Sequence, residues 1–130
     1  MLRPPDAALA ALRGPRIAPP GGDATRVARF LAAYGQAARQ GGEFAVAVHA
    51  LLGALKVAVR LHDARLTGAI MHALGAAFLA AGELPPAERW LRRAAHVRSE
   101  SSDAKGAADT ANNLGVLYRR TGRSAEAVEE

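Results

Sequence analysis

The stretch DARLTGAIMHALGAAFLAAG, Asp63 to Gly82, recurs in related form along the chain at a fixed spacing. Four columns of acidic or small residues repeat every 40 residues. These columns are Asp23, Asp63 and Asp103; Gly35, Gly75 and Gly115; Gly42, Gly82 and Gly122; and Ala47, Ala87 and Ala127. A fixed period of this length is typical of stacked repeat architectures. The sequence therefore predicts three related units, 23–62, 63–102 and an incomplete 103–130.

Each column has a physical interpretation. An Asp before a helical pattern is a good N-cap, because its carboxylate accepts backbone N–H groups of the first turn. A Gly inside a helix costs about 1 kcal/mol relative to Ala. The recurrence of Gly75 and its equivalents therefore predicts a neighbour too close for a side chain. Gly82 fits the left-handed position that ends a helix. Each unit is predicted to be a helix, a tight turn and a second helix.

Several of these positions resemble the tetratricopeptide repeat. The matching residues are Leu74, Gly75, Phe78, Gly82, Ala87, Leu91 and Ala94, and in the next unit Leu114, Gly115, Tyr118, Gly122 and Ala127. The 40-residue period is similar to the longer variant of Leu-Gly-Asn-type scaffolds, kinesin light chains and bacterial signalling regulators. Ala38 departs from the pattern in place of an aromatic residue, and Ala111 stands where Leu31 and Met71 stand in the other units.

The expected fold is all-α. The resemblance implies a tetratricopeptide-like, right-handed superhelix of stacked antiparallel helix pairs over residues 23–130. Hydrophobic residues make up 50% of the chain and aromatic residues only 5%, which favours closely packed Ala- and Leu-rich helices over strands. Residues 1–22 are rich in Pro and Gly at both ends of a short apolar piece, so we expect a mostly flexible arm.

The sequence does not predict an enzyme, a metal site or a cofactor. It has no Cys, which excludes thiolate chemistry and disulfides. The four His residues, at 49, 62, 72 and 96, include no pair spaced three or four apart for a metal on one helix. No Gly-rich phosphate loop and no nucleophile elbow occur. No apolar run is long enough to span a membrane, and a cytoplasmic location is the default expectation.

The positive charge is concentrated in the first half of the chain. Residues 1–60 carry eight basic and three acidic side chains, a net +5, whereas residues 61–130 carry nine of each, a net zero. One interpretation is a basic surface for an acidic peptide or for nucleic acid. The other is an Arg-rich composition spread over solvated helix faces. The chain has one Trp and two Tyr, few aromatic residues for stacking bases, which disfavours nucleic acid.

The resemblance implies a protein–protein interaction scaffold or regulatory segment, whose first helices line a concave groove for an extended, acidic peptide. An amide side chain can donate to and accept from a peptide backbone, and Arg can bind a carboxylate with two N–H groups. The alternative for Asn112 and Asn113 is a solvent-facing or purely local role. The groove residues predicted by register are Arg29, Gln36, Arg39, Gln40, His72, Leu79, Asn112, Asn113, Val116, Arg119 and Arg120.

Two further expectations concern surfaces. Glu88 and Arg92 are spaced to form an ion pair along one helix. Arginines of the second unit are interpreted as a solvated outer face; they are Arg89, Arg92, Arg93 and Arg98. The third unit has only seven residues of its second helix, SAEAVEE, so Leu114, Leu117 and Tyr118 are expected to lack a cover. Such an end predicts self-association, or a longer array of which this chain is a part.

Overall fold

The computed structural model describes residues 23–122, and within this range it consists of five α-helices without a β-strand. These helices are α1 (Ala24–Gln40), α2 (Phe44–Arg60), α3 (Ala64–Ala80), α4 (Leu84–Glu100) and α5 (Ala104–Arg120). The all-α prediction is confirmed. The arm 1–22 and the predicted second helix of the third unit lie outside the described residues.

The regularity is stricter than the 40-residue period. Every helix has 17 residues, so helices and their short connections repeat every 20 residues. Within a predicted pair the connection uses a left-handed glycine, Gly42 (φ 79°) or Gly82 (φ 79°), as the sequence predicts. At the intervening connections the same conformation is taken by His62 (φ 55°) and Ser102 (φ 58°). The backbone geometry therefore repeats at half the sequence period, because two of its positions carry no glycine.

The helix ends share one hydrogen-bond pattern. After α3, the N–H of Gly82 donates to the carbonyl of Leu79 at 3.1 Å, and the N–H of Glu83 donates to Phe78 at 2.9 Å. This pair of bonds is the Schellman arrangement, which requires the left-handed residue between them. Ser102 and Asp103 make the equivalent bonds after α4. Carbonyls at the helix ends are thereby satisfied, and the chain reverses within three residues.

The chain divides between Asp63 and Ala64 into two compact units. In the first unit, α1 packs against α2 through residues that are mostly alanine and leucine. The closest approach is at Gly35, where an added Cβ would lie 2.7 Å from Cγ of Leu51. The first unit is therefore one tightly paired helical hairpin.

The second unit contains α3, α4 and α5. Its apolar core is formed by six buried residues from all three helices: Leu79, Ala87, Leu91, Leu114, Leu117 and Tyr118. Leu114, Leu117 and Tyr118 are fully buried, so the expectation that they lack a cover is wrong. They pack in one cluster with residues of α3 and α4. The basis offered for self-association therefore fails, while self-association itself stays a prediction.

Gly75 lies at the closest approach within the second unit. A Cβ added there would lie 2.5 Å from Cγ and 2.6 Å from Cδ2 of Leu91, closer than real carbon atoms pack. Gly75 and Leu91 repeat the relation of Gly35 and Leu51 one period later. The prediction that the recurrent interior glycine marks a close approach is thus supported in both units.

The Asp columns behave differently from one unit to the next. Asp103 caps α5, since its Oδ1 accepts a hydrogen bond from the N–H of Gly106 at 3.0 Å. Asp23 makes no side-chain cap bond to α1 and instead pairs with Arg26 at 3.1 Å. The N-cap prediction is therefore confirmed at Asp103 and wrong at Asp23.

Arg98 departs most from the sequence prediction. Its side chain is only 9% exposed, whereas Arg89, Arg92 and Arg93 are exposed as predicted. The Nη1 of Arg98 donates to the carbonyl of Gly106 at 2.9 Å and to Oγ1 of Thr110 at 3.1 Å. The predicted pair of Glu88 and Arg92 is confirmed, with 2.9 Å between Nε and Oε2.

Two glycines make room for the buried guanidinium. A Cβ added at Gly68 would lie 2.9 Å from Cγ of Arg98, and one at Gly106 would lie 2.8 Å from its Nε. The charge is balanced by Asp103, whose Oδ2 is 3.8 Å from the Nε of Arg98. Arg98 thus connects the end of α4 to the first turns of α5 and packs against α3.

No helix in the range 23–122 is long and apolar enough to cross a membrane.

Replacing Gly75 with Leu is expected to lower the free energy of unfolding by about 3 kcal/mol, because overpacking of a tight interface costs roughly 1–3 kcal/mol. Intrinsic helix propensity would favour Leu over Gly, so a loss isolates the packing effect. Urea denaturation measures the change. Gly41→Leu is the matched control, since a Cβ there meets the Ala37 and Ala38 carbonyls at an ordinary 3.6 Å. Equal unfolding midpoints for the two variants would contradict the close-approach interpretation.

Replacing Arg98 with Ala is expected to destabilise the protein by about 2 kcal/mol, because buried partners of a charged hydrogen bond lose their donor. Arg89→Ala removes the same side chain from an exposed position of the same helix. That control is expected to stay within about 0.5 kcal/mol of the parent protein. Thermal and urea unfolding of the three proteins provide the comparison; a loss of the same size in both variants would show that burial of Arg98 contributes nothing.

Candidate functional site

Polar side chains meet where α3 and α5 lie side by side in the second unit. His72 of α3 and Asn112 of α5 are 40 residues apart and occupy equivalent positions in their helices. The Nδ2 of Asn113 is 3.3 Å from Nε2 of His72, and Nδ1 of His72 is 2.9 Å from Oγ1 of Thr110. His72 and Asn113 are half-buried and Asn112 is exposed. The structure therefore brings three of the predicted groove residues together.

Thr110 explains why His72 is held so firmly. Thr110 is fully buried at the position that Ile70 occupies in the preceding unit. A buried hydroxyl without a partner costs about 1–3 kcal/mol, so it needs hydrogen bonds. It contacts His72 on one side and Arg98 on the other. A chain of polar contacts thus runs from Asp103 through Arg98, Thr110 and His72 to the surface.

The two arginines at the end of α5 differ in role. Arg120 donates from Nη1 to the carbonyl of Leu79 at 3.0 Å. This carbonyl belongs to the last turn of α3, where a positive charge is favourable to the helix dipole. Arg119 is exposed and makes no ion pair with a carboxylate in the described part of the chain. Arg120 therefore has a structural task, whereas Arg119 is available to a ligand.

Two predicted groove residues are largely occupied by packing. Leu79 is only 6% exposed and belongs to the apolar core. Val116 is half-buried and packs against the same core. The name "α3–α5 polar surface" is used below for the side chains that remain accessible together: His72, Asn112, Asn113, Arg119 and Arg120.

The remaining predicted residues lie on α1 in the first unit. Arg29 and Gln40 are exposed. Oε1 of Gln36 accepts a hydrogen bond from Nε of Arg39 at 3.0 Å, which orients both side chains. This group carries amide and guanidinium chemistry of the same kind as the second unit.

The chemistry of these surfaces is that of recognition. Between residues 23 and 122 there is no cluster of His, Asp and Glu that could hold a metal ion. The sequence analysis identified His72 and Asn113 but not their link to Arg98. A signal for that link was present, since a hydroxyl at Thr110 replaces Ile70 in a buried column. A polar residue in a core column needs a buried partner, and only the structure shows which one it has.

Comparison with known proteins agrees with the repeat pattern. The family model described as Tetratricopeptide repeat matches residues 67–101 and 107–129. No curated protein and no solved structure matches the chain. The two matches support a tetratricopeptide-type repeat in this part of the chain, and repeats of this type generally mediate protein–protein interactions.

Proposed function

We propose that the chain is a protein-interaction scaffold or regulatory segment whose α3–α5 polar surface binds an extended, acidic peptide. The observation that carries this proposal is the hydrogen bond between Asn113 and His72. It places an oriented amide at the surface, beside the exposed amide of Asn112 and one to two turns from Arg119. Oriented polar groups lose less conformational freedom on binding, which favours affinity.

The amides supply the contacts that a peptide backbone needs. Each Asn side chain offers two N–H donors and one carbonyl acceptor, the same groups that a peptide presents in complementary form. One N–H of Asn113 is used on His72, which leaves its carbonyl and its second N–H for a ligand. Such contacts read backbone rather than side chains, so they suit ligands of varied sequence.

The charge pattern gives the ligand a direction. Arg119 and Arg120 lie at the C-terminal end of α5, while exposed Asp109 lies ten residues earlier. This separation is about 15 Å along the helix axis. Acidic residues of the peptide are therefore favoured at the Arg119 end and disfavoured near Asp109. A guanidinium can bind a carboxylate with two parallel N–H bonds, so Arg119 favours Asp and Glu.

The finer features of the resemblance belong to this proposal. The 40-residue period is similar to that of Leu-Gly-Asn-type scaffolds, kinesin light chains and bacterial signalling regulators. Arg29, Gln36, Arg39 and Gln40 are proposed separately as peptide contacts of the first unit. We also propose a cytoplasmic location, in keeping with a chain that lacks cysteine.

The test is selection from a library of random 12-residue peptides, followed by affinity measurement for the selected peptide. Selected sequences are expected to be enriched in Asp and Glu at one end. Asn112→Ala combined with Asn113→Ala, and separately Arg119→Glu, are each expected to weaken binding at least tenfold, or about 1.4 kcal/mol. Arg89→Glu is the control, because it reverses an exposed arginine on α4. Circular dichroism verifies that each variant is folded.

Three outcomes would argue against the proposal. Equal losses in Arg89→Glu and Arg119→Glu would indicate a general charge effect without a site. Preferential binding of an oligonucleotide, with affinity falling steeply as salt increases, would favour nucleic acid as the ligand. Concentration-dependent light scattering with no peptide selected would favour self-assembly.

A further inference from the structure

We propose that His72 is a positioning residue that decides which atom of the Asn113 amide faces a ligand, and that protonation of His72 reverses that choice. The biological meaning of this switch rests on the proposed peptide-binding function. The switch itself concerns only side chains within the second unit and can be measured without any ligand.

The neutral state follows from the hydrogen bonds of His72. An amide nitrogen can only donate, so Nδ2 of Asn113, 3.3 Å away, donates to Nε2 of the ring. Nε2 is then unprotonated, and a neutral ring carries its proton on Nδ1. That N–H donates to Oγ1 of Thr110 at 2.9 Å. The amide carbonyl of Asn113 is therefore the atom directed away from His72 and toward a ligand.

Arg98 keeps the far side of this arrangement in place. Its buried guanidinium donates to the same hydroxyl oxygen at 3.1 Å, so Thr110 is held from below. The ring of His72 is thereby fixed at its Nδ1 side. Any rearrangement on protonation must then occur at its Nε2 side, where Asn113 is half-buried and its amide can rotate.

Protonation places two donors face to face. Both ring nitrogens of an imidazolium carry N–H groups, so Nε2–H would meet the Nδ2–H₂ of Asn113. Rotation of the amide by about 180° replaces the NH₂ group by the carbonyl and restores a hydrogen bond. The NH₂ group then faces the ligand. Imidazole is the ordinary side chain that changes charge between about pH 5 and 8, so the reversal lies in an accessible range.

The surrounding charges act in both directions. From α4, Arg98 lies one hydrogen bond beyond Thr110 and disfavours a second positive charge. Its charge is balanced by Asp103 of α5, which is also 3.8 Å from Arg65 of α3. Asp109 lies one turn before Asn113 on α5, is exposed, and favours the protonated ring. With charges of both signs around it, His72 can adopt both states.

The consequence for a ligand is a change in hydrogen-bond preference with pH. Above the transition the Asn113 carbonyl accepts from a ligand N–H, and below it the amide donates to a ligand carbonyl. A peptide whose N–H at that place is methylated or belongs to proline loses its contact only in the neutral state. The same surface would therefore discriminate between ligands differently at pH 8 and at pH 5.

Nuclear magnetic resonance of the ligand-free chain tests the switch directly. At pH 8, the His72 ring is expected to carry its proton on Nδ1, whereas exposed His49 and His96 serve as solvated references in the same sample. As pH falls to 5, the side-chain amide signals of Asn113 are expected to move together with protonation of His72. Asn112, exposed and adjacent, is the matched control whose amide signals should not follow it. A ring protonated on Nε2 at pH 8, or an Asn113 amide indifferent to His72, would overturn the proposal.

A pair of variants separates contact from charge. Asn113→Asp leaves only acceptors beside Nε2, so the ring should stay protonated to a pH about one unit or more above that of the parent chain. Asn112→Asp adds the same charge without the contact and should shift the transition much less. Equal shifts in the two variants would show that the effect is long-range charge alone and would overturn a positioning role.

Binding separates this inference from the proposed function. With a selected peptide, methylation of the backbone N–H opposite Asn113 is expected to weaken binding at least tenfold at pH 8 and less than twofold at pH 5. Equal losses at both pH values would overturn the inference while leaving peptide binding intact. If no peptide binds at either pH, the proposed function fails, and the amide signals of Asn113 still decide the switch.

Discussion

The contact between a helical glycine and a leucine of the paired helix is the constraint on which the rest depends. Gly75 leaves no room for a Cβ against Leu91, and Gly35 leaves none against Leu51. Tight pairing allows small buried residues such as Ala47, Ala87 and Ala94 to form a continuous core. Interiors are close-packed, so this spacing cannot relax without opening voids. The Ala-rich composition and the closeness of the helices are thus one property.

The third helix of the second unit is held by two kinds of contact. Apolar packing through Leu114, Leu117 and Tyr118 supplies most of the buried area. The polar link through Arg98 and Thr110 adds direction, because hydrogen bonds fix rotation and register in a way that apolar contacts do not. A buried arginine is tolerated here since its charge is partnered and its N–H groups find acceptors. The same link ends at His72, so it connects the stability of α5 to the surface that we propose binds peptides.

The proposed recognition surface is built from helices rather than loops. Its amides and guanidinium groups project from α3 and α5, whose positions are fixed by the core beneath them. Leu79 illustrates the division of labour: its side chain fills the core, while its carbonyl receives Arg120. Rigid placement favours ligands that adapt to the surface, such as extended peptides. Assignment of the ligand rests on the proposals above; the similarity to tetratricopeptide repeats supports the broader role in protein–protein interaction.

Much of the fold was determined by local sequence. The repeated glycines predicted the close approaches and the left-handed turns, and the helical pattern predicted helices whose bounds differ from the structure by at most one residue at either end. These features depend on the conformational preference of single residues and on the 3.6-residue period, both of which act locally. His62 and Ser102 escaped prediction because neither residue type favours a positive φ by itself; the surrounding helices impose it.

Tertiary structure alone decided which polar residues are buried and which apolar ones are covered. Arg98 has the same spacing as the exposed arginines of α4, and nothing in that spacing shows that Gly68 and Gly106 open a space for it. Leu117 and Tyr118 looked uncovered because their partners lie in helices distant in sequence. Hydrogen bonds such as that between His72 and Asn113 join residues 41 positions apart. Periodicity assigns a residue to one face of its helix, but burial depends on which other helix reaches that face.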